Sequence, residues 1–248
     1  AAKDILLASK IFYDYTKNRS LFTYNKMRRS NTTSRMTANV FPNLGVLYIH
    51  IPRTAGTSIT KFLCEIDAAA SAAPAPRDIP LEAGQVTKHV RAVDARSILG
   101  TDLFANFFKI VVVRNPWDLL LSSFFWWKKY AHLNYNTIAA ASIIRHLSFT
   151  EFVETFYGRY CINEHFGKIS DWYEEQGKIL VDYIIRYEDL RKNLQSALTL
   201  AGHSLPTPDL PKLNASHNLS YRDYYSTKTQ KIVLERHKDV IQQFDYRF

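Results

Sequence analysis

Several patterns that would define a protein class are scarce or missing from this 248-residue sequence. Cys64 and Cys161 are the only cysteines, too few for a disulfide framework although one bridge between them stays open. No run of roughly 18 apolar residues occurs, which excludes a membrane-spanning helix within these residues. Residues 1–15 lack the pattern of a signal peptide. Only 8 glycines are present, which argues against a loop-rich or low-complexity chain.

Basic residues exceed acidic ones, and the formal net charge is +9 at pH 7. A positive balance favours anionic partners, with plain solubility or nonspecific adhesion to nucleic acid as the alternatives. No zinc-ligand set, RNA-binding signature or long Lys/Arg run occurs, so the sequence does not indicate a nucleic-acid-binding protein. It shows no cluster of metal ligands either. The charge therefore suggests an anionic partner without identifying its chemical class.

Length and composition are typical of one globular domain. Hydrophobic residues make up 46% of the chain and charged residues 22%, which are ordinary values. An α/β fold of this length commonly stays a single domain with a sizeable core. We expect one domain over residues 1–248, with a polar lead over 1–43, an α/β core over 44–248 and an Ala/Pro-rich surface loop over 67–80.

The most informative stretch joins a strand pattern to a helix pattern. Residues 46–51 are largely apolar, and helical spacing then follows at Ile59, Phe62, Leu63 and Ile66. The loop between them contains Arg53, Thr54, Ala55, Gly56, Thr57 and Ser58. Amides at a helix start lack intrahelical partners and lie at the positive end of the dipole, so this loop is predicted to bind a phosphate-like anion. It is not a Walker A loop, because the first Gly and the Lys of that motif are missing.

A second strand pattern, residues 108–113, leads into another helix. This helix is predicted to begin at Pro116 with Asn115 as its cap. Arg114 then follows the carboxyl end of the strand. Ligands of open α/β sheets bind outside the carboxyl ends of strands, so Arg114 and the 53–58 loop are predicted to face the same crevice.

The remainder of the chain repeats the alternation of strands and helices. A third strand is predicted over 183–187 and a helix after it, and the final residues from 226 are predicted to form one amphipathic helix. Ser148 and Glu151 have the spacing of a capping box. Three strand–helix units predict a mainly parallel sheet with both faces covered.

The two loop motifs together resemble the sulfotransferases that use 3′-phosphoadenosine 5′-phosphosulfate (PAPS). The closest likeness is to the carbohydrate branch that includes the heparan sulfate 2-O-sulfotransferases. Residues 50–58 match the pattern H-x-P-K-T-x-G-T-S, and residues 114–122 match R-N-P-x-[DE]-R-x-x-S. The resemblance implies that the 53–58 loop holds the 5′-phosphosulfate, and that Arg114 and Ser122 hold the 3′-phosphate. It also implies a P-loop-like, three-layer α/β fold whose mainly parallel central sheet is flanked by helices.

Two positions depart from these patterns. Arg53 stands where the family has Lys, and Leu119 stands where it has a second Arg. Arg53 keeps the positive charge, but a guanidinium does not give up its proton. It can therefore stabilise a leaving group electrostatically without protonating it.

A third segment, residues 87–91, resembles the G-H-V-R segment in which the 2-O-sulfotransferase branch carries its catalytic base. Lys88 replaces the Gly. The resemblance implies that His89 is the general base, and an imidazole with a pKa of about 6.5 suits proton removal at neutral pH. Without the resemblance, a lone histidine before a valine is interpreted as a surface or structural residue.

The resemblance thus implies an enzyme that moves a sulfuryl group from PAPS to an acceptor hydroxyl, with a carbohydrate as the expected acceptor, and that needs no metal. A lipid, a small metabolite or a protein tyrosine stays open as the acceptor. A nucleotide kinase of the same superfamily and a non-catalytic glycan- or nucleotide-binding module are the further alternatives. Residues 214–225 are interpreted either as a loop that closes over the nucleotide or as an ordinary surface loop.

Cellular location is indicated only indirectly. Few cysteines and the lack of a long apolar run favour a cytoplasmic enzyme of bacterial type. A Golgi lumenal domain whose anchor has been removed is the alternative, and the glycosylation tripeptides at Asn31, Asn214 and Asn218 would matter there. The sequence does not indicate an oligomeric state.

Overall fold

The structure, a computed structural model, describes residues 39–70, 88–130, 144, 146–157, 167–205, 208–210 and 220–248. The chain divides into two compact units. One comprises residues 32–114 and 169–215 and is called the sheet unit here. The other comprises residues 1–31, 115–168 and 216–248 and is called the aromatic unit.

The sheet unit is built on a four-stranded sheet of order β1-β2-β3-β6. Its strands are β1 (Val40–Phe41), β2 (Val46–Ile49), β3 (Phe108–Val113) and β6 (Tyr183–Arg186). Strands β2, β3 and β6 run parallel, and β1 pairs antiparallel with β2. The predicted mainly parallel sheet is therefore confirmed. Strand β1 adds to it from within the lead expected over residues 1–43.

Four helices and a hairpin complete the described part of the sheet unit. The helices are α1 (Gly56–Ala70), α2 (Ala92–Leu99), α3 (Thr101–Asn106) and α6 (Leu190–Leu200). The hairpin pairs β4 (Glu174–Glu175) with β5 (Lys178–Ile179), and 3₁₀ turns cover Ser170–Trp172 and Tyr187–Asp189.

The core of the sheet unit lies between the sheet and two helices. Alternate strand residues such as Tyr48, Ile110 and Ile185 point to one face and are fully buried there. Helices α1 and α6 supply Ile59, Leu63, Leu194, Ala197 and Leu198 to the same cluster. The intervening strand residues, including Leu47 and Val111, are buried as well, as expected of a parallel sheet covered on both sides.

The aromatic unit is helical where it is described. Its elements are α4 (Pro116–Tyr130), α5 (Phe149–Glu151) continuing as a π-helix (Phe152–Tyr157), a 3₁₀ turn (Tyr221–Tyr224), α7 (Thr227–Arg236) and α8 (Lys238–Gln243). Asn115 caps α4, since its Oδ1 accepts from the amide of Trp117 at 3.1 Å. The capping box of Ser148 and Glu151 is also present. Both capping predictions are confirmed.

Two sequence-based boundaries were wrong. Helix α1 continues to Ala70, into the region predicted as a loop from residue 67, because alanines favour helix and the Asp67 carboxylate is anchored on the Leu44 amide at 2.9 Å. The rest of that predicted loop lies outside the described residues. The single final helix is two helices, α7 and α8, because His237 between them has a non-helical backbone and a buried ring bonded to the Tyr157 hydroxyl at 2.8 Å.

Candidate active site

The carboxyl ends of three adjacent parallel strands position the 53–58 loop, Arg114 and Tyr187. Strand β2 leads into the loop before α1, β3 ends one residue before Arg114, and β6 ends one residue before Tyr187. Ile49 pairs with Val111, and Val113 pairs with Arg186. The register therefore sets Arg114 and Tyr187 side by side, at the edge of the sheet where ligands of such folds bind.

The backbone of the loop between β2 and α1 has an unusual form. Arg53 and Ala55 are left-handed, with φ of 67° and 62°, while Thr54 between them is not. This conformation costs a residue with a Cβ about 1–2 kcal/mol. Such strained positions cluster at functional sites, and alternation of handedness turns successive N–H groups to one concave side that suits an anion.

Helix α1 contributes further donors to the same loop. The amides of Ser58 and Ile59 bond to the carbonyl of Ala55 at 2.9 and 3.1 Å. The amides of Gly56 and Thr57 precede these first helical donors, where a helix has no acceptor of its own to offer. The helix dipole adds partial positive charge at this end. Backbone and helix together give the loop a cradle of amide donors with the positive potential that suits a phosphate-like group.

Thr54 stabilises the loop from inside. It is 0% exposed, and its hydroxyl donates to the carbonyl of Ile51 at 2.8 Å. Burial raises the pKa of Tyr48 far above its ordinary value, and the neighbouring Thr54 side chain opposes this rise. The Thr54 side chain therefore supports the loop. Ser58 is also buried, whereas Thr57 is exposed.

The imidazole of His50 occupies the space that Gly56 leaves open. His50 is 3% exposed, and its ring stacks on Tyr48 with centroids 5.3 Å apart. A Cβ added at Gly56 would overlap the Nε2, Cδ2 and Cε1 atoms of that ring. Residue 56 must therefore be a glycine, because the His50 ring fills the space that a side chain would need.

His89 is positioned against His50. Their ring centroids lie 4.6 Å apart, and His89 Nδ1 lies 3.1 Å from the His50 carbonyl oxygen. A carbonyl can only accept, so Nδ1–H donates to it, and in the neutral imidazole the lone pair lies on Nε2. The neighbouring Lys88 carbonyl accepts from Asn39 Nδ2 at 2.8 Å, which fixes the segment, and burial lowers the pKa of the Lys88 amine.

Arg114 links the loop to the next strand. Its Nη1 donates to the carbonyl of Arg53 at 2.8 Å. Its guanidinium carbon lies 4.3 Å from the centre of the Tyr187 ring, within the range of a cation–π contact. Arg114 therefore holds one of the two left-handed residues of the loop.

The sheet unit contains the 53–58 loop, His89 and Arg114, and hydrogen bonds join His89 to the His50 carbonyl and Arg114 to the Arg53 carbonyl. Ser122 belongs to the aromatic unit, where it is 4% exposed on α4. Leu119 is buried on the same helix, so an apolar core residue replaces the second Arg of the family pattern. Of the predicted 214–225 loop, residues 214–219 lie outside the described part of the chain. In the 3₁₀ turn over Tyr221–Tyr224, the guanidinium carbon of Arg222 lies 4.8 Å from the centre of the Tyr221 ring.

Sequence reasoning missed two features of this site. It did not assign a role to the His50 side chain, whose only signal is a histidine at the end of an apolar strand. It interpreted the R-Y-E-D-L segment that contains Tyr187 as mainly structural. The signal that could have identified Tyr187 is its position, since it follows a strand end just as Arg114 does.

The comparisons with known proteins agree with this geometry. The family model described as the sulfotransferase family matches residues 36–246. No curated protein and no solved structure matches the chain. None of the helices in the described ranges has the length and apolar character needed to cross a bilayer. The mixed α/β fold with a mostly parallel sheet is consistent with the family, and the matched span covers most of the sequence. The chain therefore belongs to the sulfotransferase family, and the chemistry of that family is sulfuryl transfer.

Proposed function

We propose that this enzyme transfers the sulfuryl group of PAPS to a hydroxyl of a carbohydrate, with His89 as the general base. The observation that carries the proposal is the proximity of an anion cradle and a histidine. His89 Nδ1–H donates to the carbonyl of His50, which leads directly into the 53–58 loop. A proton acceptor thereby lies next to a site built for a phosphate-like group.

The cradle supports a phosphosulfate as its ligand. The two left-handed residues and the start of the 15-residue helix α1 supply backbone amides that can donate to an anion in the loop. Arg53 and Arg114 add positive charge. The order of β2, loop and α1 also supports the P-loop-like fold that the resemblance implies. We assign the 5′-phosphosulfate to residues 53–58 and the 3′-phosphate to Arg114.

The hydrogen bond of His89 supports its role in proton transfer. Because Nδ1 keeps its proton and donates a hydrogen bond to the His50 carbonyl, the lone pair of the neutral His89 ring lies on Nε2. Nε2 can take the proton of an acceptor hydroxyl, and general base catalysis of this kind contributes about 10²–10⁴ in rate.

PAPS is a substrate, and it supplies the sulfuryl group. The acceptor oxygen forms a bond to sulfur while the bond from sulfur to the bridging oxygen breaks. The acceptor proton moves to His89, and the electron pair of the broken bond leaves with the nucleotide product, 3′-phosphoadenosine 5′-phosphate (PAP). Arg53 and the loop amides stabilise the charge that develops there, and one such donor is worth about 3–4 kcal/mol by analogy with oxyanion holes.

Calorimetric titration of PAP and of ATP, each without added metal, tests the donor class. We expect PAP to bind much more tightly than ATP. A preference for ATP, or binding that requires magnesium, would instead assign the chain to the nucleotide kinases.

A transfer assay with labelled PAPS tests the base and the acceptor. His89→Ala should bind PAP nearly as wild type does and lose transfer, whereas His146→Ala, a change at an exposed histidine, should keep both. Loss of PAP binding in His89→Ala would show that His89 is not the base. Arg53→Ala should lower turnover more than stability, and full activity would disprove its role. The acceptor panel includes glycans, lipids, small alcohols and tyrosine peptides, and labelling outside the glycans would replace the carbohydrate assignment.

A further inference from the structure

Tyr187 contacts Arg114, although it belongs to neither of the two phosphate motifs. It opens the 3₁₀ turn that follows β6. Its ring lies 4.3 Å from the Arg114 guanidinium carbon, and Arg114 Nη1 donates to the Arg53 carbonyl at 2.8 Å. Tyr187 is partly buried and packs against the hydrophobic core of the sheet unit. A chain of contacts thus runs from the core, through an aromatic ring and a guanidinium, to the loop backbone.

The loop needs such support because its backbone is strained. Arg53 and Ala55 have positive φ and carry a Cβ, and such residues persist only where the surrounding structure over-determines them. Ala55 also packs against the core, and Thr54 is anchored by its hydroxyl on Ile51. For Arg53, the bond from Arg114 to its carbonyl provides the corresponding support.

The sheet register makes this arrangement a property of the fold. Strands β2, β3 and β6 are adjacent and parallel, and each contributes one member of the contact chain. Val113 pairs with Arg186, so the next residues, Arg114 and Tyr187, are neighbours. A rigid sheet therefore sets the distance between the ring and the guanidinium.

We propose that Tyr187 is a positioning residue that keeps the anion-binding loop in its left-handed form by holding Arg114 against the Arg53 carbonyl. The proposal rests on the proposed function, which gives the loop its ligand, and deepens it by naming a residue that sets affinity for the donor. Tyr187 acts through Arg114. Its removal should alter the loop even when no nucleotide is bound.

Hydrogen exchange of the loop amides in the nucleotide-free protein is the first test. Tyr187→Leu should accelerate exchange at residues 54–57 by about tenfold or more, because local opening becomes easier. Tyr187→Phe keeps the ring and should exchange as wild type does. Tyr183→Leu removes a ring of β6, the strand before Tyr187, that packs against the same core, and it should leave the loop unchanged. Equal loop exchange in Tyr187→Leu and Tyr183→Leu would overturn the proposal.

Nucleotide affinity is the second test, with PAP and adenosine 5′-phosphate as probes. Because the loop holds the 5′-phosphate that both probes share, Tyr187→Leu should weaken adenosine 5′-phosphate about tenfold, a 1.4 kcal/mol loss. PAP should weaken at least as much, since Arg114 is also assigned to its 3′-phosphate. Weaker binding of PAP alone would show that Tyr187 acts only on the 3′-phosphate and would refute loop positioning.

The two proposals fail in different ways. A wild-type protein that does not bind PAP would refute the proposed function, while loop exchange would still decide the role of Tyr187. Tight PAP binding in wild type and in Tyr187→Leu alike would refute only the positioning role. If thermal unfolding shows that Tyr187→Leu does not fold, Tyr187→Met replaces it, since methionine keeps apolar volume without a π face, and the same outcomes apply.

Discussion

The substitution Gly56→Ala should damage both stability and catalysis, because the space of the new Cβ is already occupied by the His50 imidazole. The φ of Gly56 is not in the left-handed region, so the cost is steric. His50 is almost fully buried between Tyr48 and this helix start, and its ring cannot turn aside without leaving its stack. Overpacking of this kind costs about 1–3 kcal/mol, equivalent to a fall in Tm of about 2–4 °C per kcal/mol for a chain of this size.

The catalytic effect follows because the His50 ring also contacts His89. Displacement of His50 removes its 4.6 Å ring contact with His89, so sulfuryl transfer should fall about tenfold or more, the equivalent of 1.4 kcal/mol in the barrier. Thermal unfolding and single-turnover transfer of labelled PAPS measure the two losses.

The matched control for this prediction is the double variant His50→Ala with Gly56→Ala. Without the imidazole, the new Cβ has room, so the second substitution should cost much less stability in the His50→Ala background than in wild type. Strictly additive losses, or a Gly56→Ala protein with wild-type Tm and turnover, would refute the steric argument.

Burial lowers the pKa of His237 to about 3 in the folded protein, below its unfolded value near 6.5, so the free energy of unfolding should fall by about 2 kcal/mol between pH 7 and pH 5. Urea unfolding at pH 7, 6 and 5 should show this slope in wild type and not in His237→Gln, and equal slopes in the two proteins would contradict it. Asp67→Ala should cost about 1–3 kcal/mol, because the buried Leu44 amide loses its acceptor at 2.9 Å; unchanged urea unfolding would refute this. Lys109→Met should cost about 1–2 kcal/mol by breaking the 2.8 Å ion pair of its buried amine with the half-exposed Asp182, and a Tm at or above wild type would show that burial of the methionine offsets the pair.

The parallel sheet and the loop between β2 and α1 were predictable because they depend on local patterns. An apolar run followed by small and hydroxyl residues and then by helical spacing identifies a strand, a loop and a helix from neighbouring residues alone. The cap at Asn115 was predictable for the same reason, since an amide before a proline has a strong local preference.

Contacts between distant segments could not be predicted from the sequence. The His50 ring lies in the space beside Gly56 because of the way the loop turns. The contact between Tyr187 and Arg114 depends on the pairing of Val113 with Arg186. Neither leaves a periodic signal. The break at His237 was missed because the apolar spacing continues across it, while the bond from its ring to Tyr157 joins positions far apart in the chain.

The acceptor that orients His89 is a main-chain oxygen, the carbonyl of His50, and every amino acid provides one at that position. Substitutions at residue 50 can change the packing around Gly56 while the acceptor for His89 is retained. The hydrogen bond of the proposed base therefore does not depend on the side chain at residue 50, in contrast to the ring contact between His50 and His89. A library that varies residues 50 and 56 together could change the packing beside the loop and still keep this acceptor for His89.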